Sequence, residues 1–206
     1  TDMYRMFDEA SSFNQPLDNW DVSSVIYMSE MFSGASSFNQ PLDNWNVSSV
    51  TGMYRMFDEA SSFNQPLDNW NVSSVTDMRG MFYEASSFNQ PLGNWNVSSV
   101  TEMDDMFYAV KLSTSNYDNL LLGWSQLTLQ FGVTFHAGNS KYSSAAADAR
   151  EFIITNFSWT IIDGGLETPS SQVISGYIFV LIVATLGVTI AVMIKKRMIL
   201  EFKSEK

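Results

Sequence analysis

The chain has 206 residues, no cysteine and a formal net charge of −11, which leaves room for one domain with appendages and excludes disulfides and thiolate metal sites. The charge is uneven: residues 1–172 carry 20 acidic and 6 basic side chains, a net −14, while residues 195–206 carry 5 basic and 2 acidic, a net +3. So acidic a body repels phosphate backbones and argues against a nucleic-acid partner.

The chain opens at Thr1 inside a repeat, with no initiator Met and no signal peptide. It reads as a fragment or processed product, with any N-terminal cap and export signal expected upstream. The stretch SFNQPLDNWNVSSVT at Ser37–Thr51 returns at Ser62–Thr76, and at Ser87–Thr101 with Gly93 in place of the Asp. An earlier copy, Ser12–Ile26, differs at Asp21 and Ile26. The period is 25 residues without insertion, so Trp20, Trp45, Trp70 and Trp95 are one position seen four times. Methionine pairs keep the same beat: Met3/Met6, Met28/Met31, Met53/Met56, Met78/Met81 and Met103/Met106. Units of this size cannot bury an apolar face alone, so residues 1–110 read as a solenoid of about four and a half coils.

Within a unit the apolar residues after Val75 fall at Met78, Met81, Phe82 and Ala85, spacings that predict a short helix with Ser73 or Ser74 as N-cap. Phe88–Leu92 reads as extended, because Pro91 forbids a helix interior and biases Gln90 toward the same conformation. Each coil is then a short strand, a turn and a short helix, stacked at the parallel inter-strand spacing of about 5 Å. Phe13, Leu17, Trp20, Val22, Val25, Met28, Met31 and Phe32 fill the predicted interior, with equivalents one period on. The columns Asn14/Asn39/Asn64/Asn89 and the tryptophans have two readings. One is an internal ladder and core; the other is a regular polar and aromatic face for a repetitive ligand such as a glycan. Residues that differ between copies (Tyr54-Arg55, Ser29-Glu30, Arg79-Gly80, Asp104-Asp105) fit a solvent-facing side of the predicted helix.

Met-x-x-Met-Phe-x-x-Ala-x-x-Phe-Asn-Gln followed by Leu-x-x-Trp-x-Val-Ser-x-Val resembles the BspA-like, 25-residue leucine-rich-type surface repeats, first catalogued as a domain of unknown function in mycoplasma lipoproteins. The resemblance covers about residues 1–110. It implies a leucine-rich-repeat-like solenoid on a secreted or cell-surface protein, often associated with adhesion or protein binding.

Residues 111–166 break the beat. Asn116–Gln126 reads as a short helix capped by Asn116 or Ser115, Gly132–His136 as a strand, Ser143–Asn156 as a helix and Trp159–Asp163 as a second strand. This is a βαβ-like module with an expected right-handed crossover, placed to cover the last coil. The segments YDNLLLGW, FHAGNSKY and WTIIDGG also resemble the module that follows such repeats in bacterial surface proteins. Residues 167–172 read as a linker, and Val173–Ile194 supplies 22 residues without a charge, enough to span a bilayer as a helix. The basic tail 195–206 then places the C-terminus in the cytoplasm and the N-terminal part outside, making a single-pass protein of the cell membrane. Leu166–Pro169 does not match a Leu-Pro-x-Thr-Gly sorting motif, so a retained helix is expected.

The predicted class is therefore α/β, a leucine-rich-repeat-like solenoid closed by the βαβ-like cap and followed by one transmembrane helix. No Gly-rich phosphate loop, metal-spaced cluster or nucleophile elbow occurs. Lone His136 and the turn-forming Asp163 read as structural. The acidic pairs Asp58/Glu59 and Asp104/Asp105 read as solvated surface in preference to loose Ca²⁺ ligands. No catalytic residue, cofactor or metal is predicted. Glycosylation sequons stand at Asn46, Asn71, Asn96 and Asn156.

The expectation is a non-enzymatic, membrane-anchored surface protein mediating adhesion or binding an extracellular protein or glycan. Its partners would be that ligand and the bilayer through residues 173–194. The alternatives are an envelope or spacer component acting by self-association, and the stalk of a larger protein whose active domain lies upstream.

Overall fold

In the computed structural model, described for residues 1–168, the 25-residue period is written in backbone hydrogen bonds. Alternate N–H groups of one unit donate to carbonyls of the next: Met28 to Gly52, Glu30 to Tyr54, Phe32 to Met56 and Gly34 to Asp58, at 2.7–3.0 Å. The residues between them close tight turns inside the unit, as Met31 N donates to Met28 O and Ser33 N to Glu30 O. Isolated parallel bridges join Asp2 to Tyr27, Tyr27 to Gly52, Gly52 to Asp77 and Asp77 to Glu102.

The backbone dihedrals explain why the helical spacing does not become a helix. Arg5, Glu30, Arg55, Gly80 and Asp105 are left-handed, as are Glu9, Gly34, Glu59, Glu84 and Ala109, with φ between +49° and +68°. Two left-handed residues four apart in each unit interrupt the right-handed spiral that i to i−4 bonding requires. The N–H groups turn outward to the neighbouring unit instead.

The predicted class is corrected accordingly. Among the described residues the helices are α1 (Thr114–Trp124) and α2 (Ala147–Phe157), and the strands are β1 (Thr134–His136) and β2 (Thr160–Ile162). Residues 1–113 hold turns and isolated bridges only, so a leucine-rich-repeat-like solenoid with a strand and a helix per coil is not what forms. The β1–β2 sheet has two parallel strands and stays open. Among the described residues no helix is long and apolar enough to cross a membrane, which stands against the transmembrane class and the single-pass, cell-membrane placement built on it. The segment 173–194, the tail after it and most of the linker before it lie outside the described residues. The chain divides at Glu167/Thr168 into two units, of which the first is described.

The interior of that first unit is built from columns of one residue type. Phe7, Phe32, Phe57, Phe82 and Phe107 stack with centroids 5.3–5.5 Å apart and rings within 6° of parallel. A second column, Phe13, Phe38, Phe63 and Phe88, lies 4.0–4.2 Å from the first. Met28, Met31, Met53, Met56, Met78 and Met81 are fully buried. Trp45, Trp70 and Trp95 are 1–3% exposed, and each indole N–H donates to the carbonyl of Leu17, Leu42 or Leu67 in the preceding unit. Trp20 departs from the predicted interior: it is 40% exposed, because its unit has a neighbour on one side only among the described residues.

A polar ladder accompanies the apolar one. Asn39, Asn64 and Asn89 N–H groups donate to the Oδ1 of Asn14, Asn39 and Asn64, and the Gln40, Gln65 and Gln90 amides reach the same oxygens. These side chains satisfy one another and the turn backbone. Segment 113–130 then takes the bonds of the next unit without its sequence. Ser113 N and Asn116 Nδ2 donate to Asn89 Oδ1, Trp124 Nε1 to Leu92 O, and Gln130 Nε2 to Ser98 O. Helix α1 starts two residues before the predicted Asn116, with Ser113 as its N-cap.

Candidate functional site: a strip of tyrosines and arginines

Residues 1–100 form four complete units, and 17 of the 25 positions are identical in all four. Position 18 varies only at Gly93, which faces α1. Position 21 (Asp21, Asn46, Asn71, Asn96) varies without losing its turn, since each side-chain oxygen accepts the N–H two residues on. Apart from Ile26, the remaining variation falls at positions 2, 4, 5, 8 and 9. Those positions, followed into the fifth unit, hold every tyrosine and every arginine of residues 1–110: Tyr4, Tyr27, Tyr54, Tyr83, Tyr108, Arg5, Arg55 and Arg79.

The same backbone ladder that sets the register puts them side by side. Tyr108 stacks on Tyr83 at 4.6 Å, and the Arg55 guanidinium lies 5.5 Å from the Tyr83 ring and 5.6 Å from Tyr54. Arg79 sits 5.3 Å from the other neighbour of that stack, Tyr54. Carboxylates pin each guanidinium: Asp58 holds Arg55 at 3.2 Å, and Asp77 holds Arg79 at 2.7 Å. Arg5 is paired with Glu30 and Asp8 and stacks on Tyr4. The bond to Asp77 raises the Arg79 pKa, the bond to Glu30 raises that of Arg5, and desolvation raises that of the Tyr83 phenol. Side chains held this way lose little freedom when something binds over them.

Beneath the strip lies Asp58, whose side chain is 7% exposed and whose Oδ1 has no hydrogen-bond partner. Burial pushes its carboxyl up to about 6, against the pull of Arg55 and with the help of Glu59, Glu84 and Glu30. A carboxyl with a raised folded-state pKa binds its proton more tightly folded than unfolded. Its contribution is therefore favourable at acid pH and is lost as pH rises from about 4 through 6. Asp58→Asn is expected to remove that penalty, gaining on the order of 1 kcal/mol over wild type at pH 7 and nothing at pH 4, allowing for screening at the surface. Chemical denaturation at the two pH values checks this. An equal effect at both would mean that Asp58 does not titrate in this window.

The predicted sites fall elsewhere. Asn46, Asn71, Asn96 and Asn156 are all exposed. In the first three the side-chain oxygen caps the sequon's own turn, while Asn156 Nδ2 donates to Phe152 O. His136 Nδ1 accepts the Gly138 N–H, and its carbonyl accepts Phe107 N–H. Among the described residues no group of three or more His, Cys, Asp or Glu is placed to hold a metal ion. Sequence reading singled out Tyr54, Arg55 and Arg79 but passed over Tyr27, Tyr83 and Tyr108. Tabulating residue types by repeat position would have found them.

A family model described as "Mycoplasma protein of unknown function, DUF285" matches residues 1–120. No curated protein and no solved structure matches the chain. The match runs through all four complete units and into α1, more than half of the 206 residues, and the chain belongs to this family of Mycoplasma proteins of unknown function.

Proposed function

We propose that the protein is a non-catalytic binding protein that engages another protein through the tyrosine and arginine strip, by many modest contacts. One observation carries this: the repeat is fixed wherever side chains build the interior, and varied where Tyr and Arg stand at the surface. Those two residue types dominate the energy of protein interfaces because they combine large contact area with a polar end. The likeness to BspA-like surface repeats supports the same reading by analogy. The asparagine and glutamine columns are already engaged with one another, which favours a protein over a glycan lying along them.

Peptides selected from a displayed library on the full-length chain provide the test. The variant Tyr54→Ser/Tyr83→Ser/Tyr108→Ser uses the residue that the chain itself carries at the matching positions, Ser29 and Ser33. Its melting temperature is expected to stay within about 3 °C of wild type. Selected peptides should lose tenfold or more in affinity for it, since an interface tyrosine contributes on the order of 1–2 kcal/mol. Peptides indifferent to the substitution, or ligands found only on a glycan array, would sink the proposal.

A further inference from the structure

The charges of the strip say what its partner carries. Its five positions hold eleven carboxylates (Asp2, Asp8, Glu9, Glu30, Asp58, Glu59, Asp77, Glu84, Glu102, Asp104 and Asp105) against three arginines. Asp8, Glu30, Asp58, Asp77 and Glu102 pair with those arginines. Glu9, Glu59, Glu84, Asp104 and Asp105 are exposed and have no ion-pair partner among the described residues. Glu59 and Glu84 occupy the same position of adjacent units, and their backbones are joined through Glu59 N and Tyr83 O at 2.7 Å. Like charges so placed repel in the free protein. Under them Asp58, nine-tenths buried, has a carboxylate oxygen that lacks a donor.

The fold does not ask for these carboxylates. Gly34 stands where Glu59 and Glu84 stand, Gly80 where Asp105 stands, and Ser29 where Asp104 stands. The left-handed φ at 59, 84 and 105 suits glycine better than any L-residue. A cationic segment laid along the strip would relieve the repulsion and set its charges beside the tyrosines.

We infer that the strip is the docking surface for a cationic protein segment, rich in lysine or arginine, held by Glu59, Glu84, Asp104 and Asp105 and by the flanking tyrosines. This rests on the binding role proposed above and names its partner class. The array-derived variant Glu59→Gly/Glu84→Gly/Asp104→Ser/Asp105→Gly is compared with Asp18→Asn/Asp21→Asn/Asp43→Asn/Asp68→Asn, which removes the same number of charges away from the strip. The probes are octalysine and octaarginine peptides, with octaglutamate as control, titrated against each full-length protein by fluorescence anisotropy.

Wild type and the off-strip variant should bind both cationic peptides alike, and octaglutamate should not bind. The strip variant should lose tenfold or more in affinity while its melting temperature holds or rises. Binding should weaken at least tenfold between 50 and 300 mM NaCl, as exposed charges do when the screening length falls to several ångströms. Equal losses in the two variants would show nonspecific attraction to an acidic protein and overturn the inference. So would neutral, salt-insensitive peptides emerging from the library selection, although the binding role would then stand. Failure of every ligand to respond to the tyrosine substitutions would instead remove the binding role itself.

Discussion

Gly93→Asp, which restores the residue that the other three units carry at that position, is expected to be the more damaging of two opposite substitutions. A Cβ at Gly93 would stand 2.3 Å from the Asn119 carbonyl oxygen and 2.6 Å from its Oδ1. A carboxylate would add charge repulsion against both oxygens and displace the Asn119 side chain that accepts Gly93 N–H. On the facing helix, a Cβ at Gly123 would meet the Gly93 carbonyl oxygen at 2.0 Å. The Asn119 and Gly93 carbonyl oxygens are backbone atoms, so relief requires α1 to move away. That uncovers the last unit, where Trp124 and Tyr117 are fully buried. The expected loss exceeds about 4 kcal/mol, in the range where single substitutions owe their effect to an identifiable steric cause. The reverse change, Asp68→Gly, touches no helix and should cost no more than about 1 kcal/mol, the entropy of an added glycine. Thermal and urea unfolding of the two variants decides the matter. A folded Gly93→Asp protein of unchanged melting temperature would mean that α1 does not pack on position 93.

The single Asp-to-Gly change was visible in the sequence, but its reason lay in a helix that begins some twenty residues later. Much else was legible because it depended on periodicity alone. The tryptophan and methionine columns, the asparagine ladder and the position of α1 within two residues all follow from spacing and polarity. The secondary structure of the units was not legible that way. Met78, Met81, Phe82 and Ala85 keep one face inward whether the chain is a helix or a series of turns bonded to its neighbour, so the apolar pattern cannot choose between them. Gly34 and Gly80, inside the predicted helix, were the local signal that the backbone turns left-handed. The strip was hidden for a related reason. Its contacts Tyr54–Arg79, Arg55–Tyr83 and Tyr83–Tyr108 join residues 25–28 apart in the chain, which only the inter-unit hydrogen bonds make neighbours.

Asp163 shows how far turn chemistry can understate a residue. Its Oδ1 does accept the Gly165 N–H, as the Asp-Gly-Gly sequence suggests. Its Oδ2, however, accepts the Tyr117 hydroxyl and the Arg150 Nε, each at 2.7 Å, so that α1, α2 and the end of β2 meet at one carboxylate. The Asp163 side chain is 3% exposed and that of Arg150 18%. Desolvation foremost, and then the carboxylate, raise the Tyr117 pKa well beyond its ordinary range, so the phenol stays a donor at any physiological pH. Removing the acceptor leaves a half-buried guanidinium and a buried hydroxyl without partners. Asp163→Ala is therefore expected to cost about 3–5 kcal/mol, as breaking one side of a buried pair does. Tyr117→Phe removes one neutral donor and should cost about 1 kcal/mol. Arg150→Met alone should also be costly, because it strands the carboxylate. Asp163→Ala with Arg150→Met should be less damaging than the sum of the two, with a coupling of roughly 1–3 kcal/mol. Urea denaturation of the four proteins measures the cycle. Strict additivity would show that the two side chains act independently and that their ion pair does not tie α2 to the end of β2.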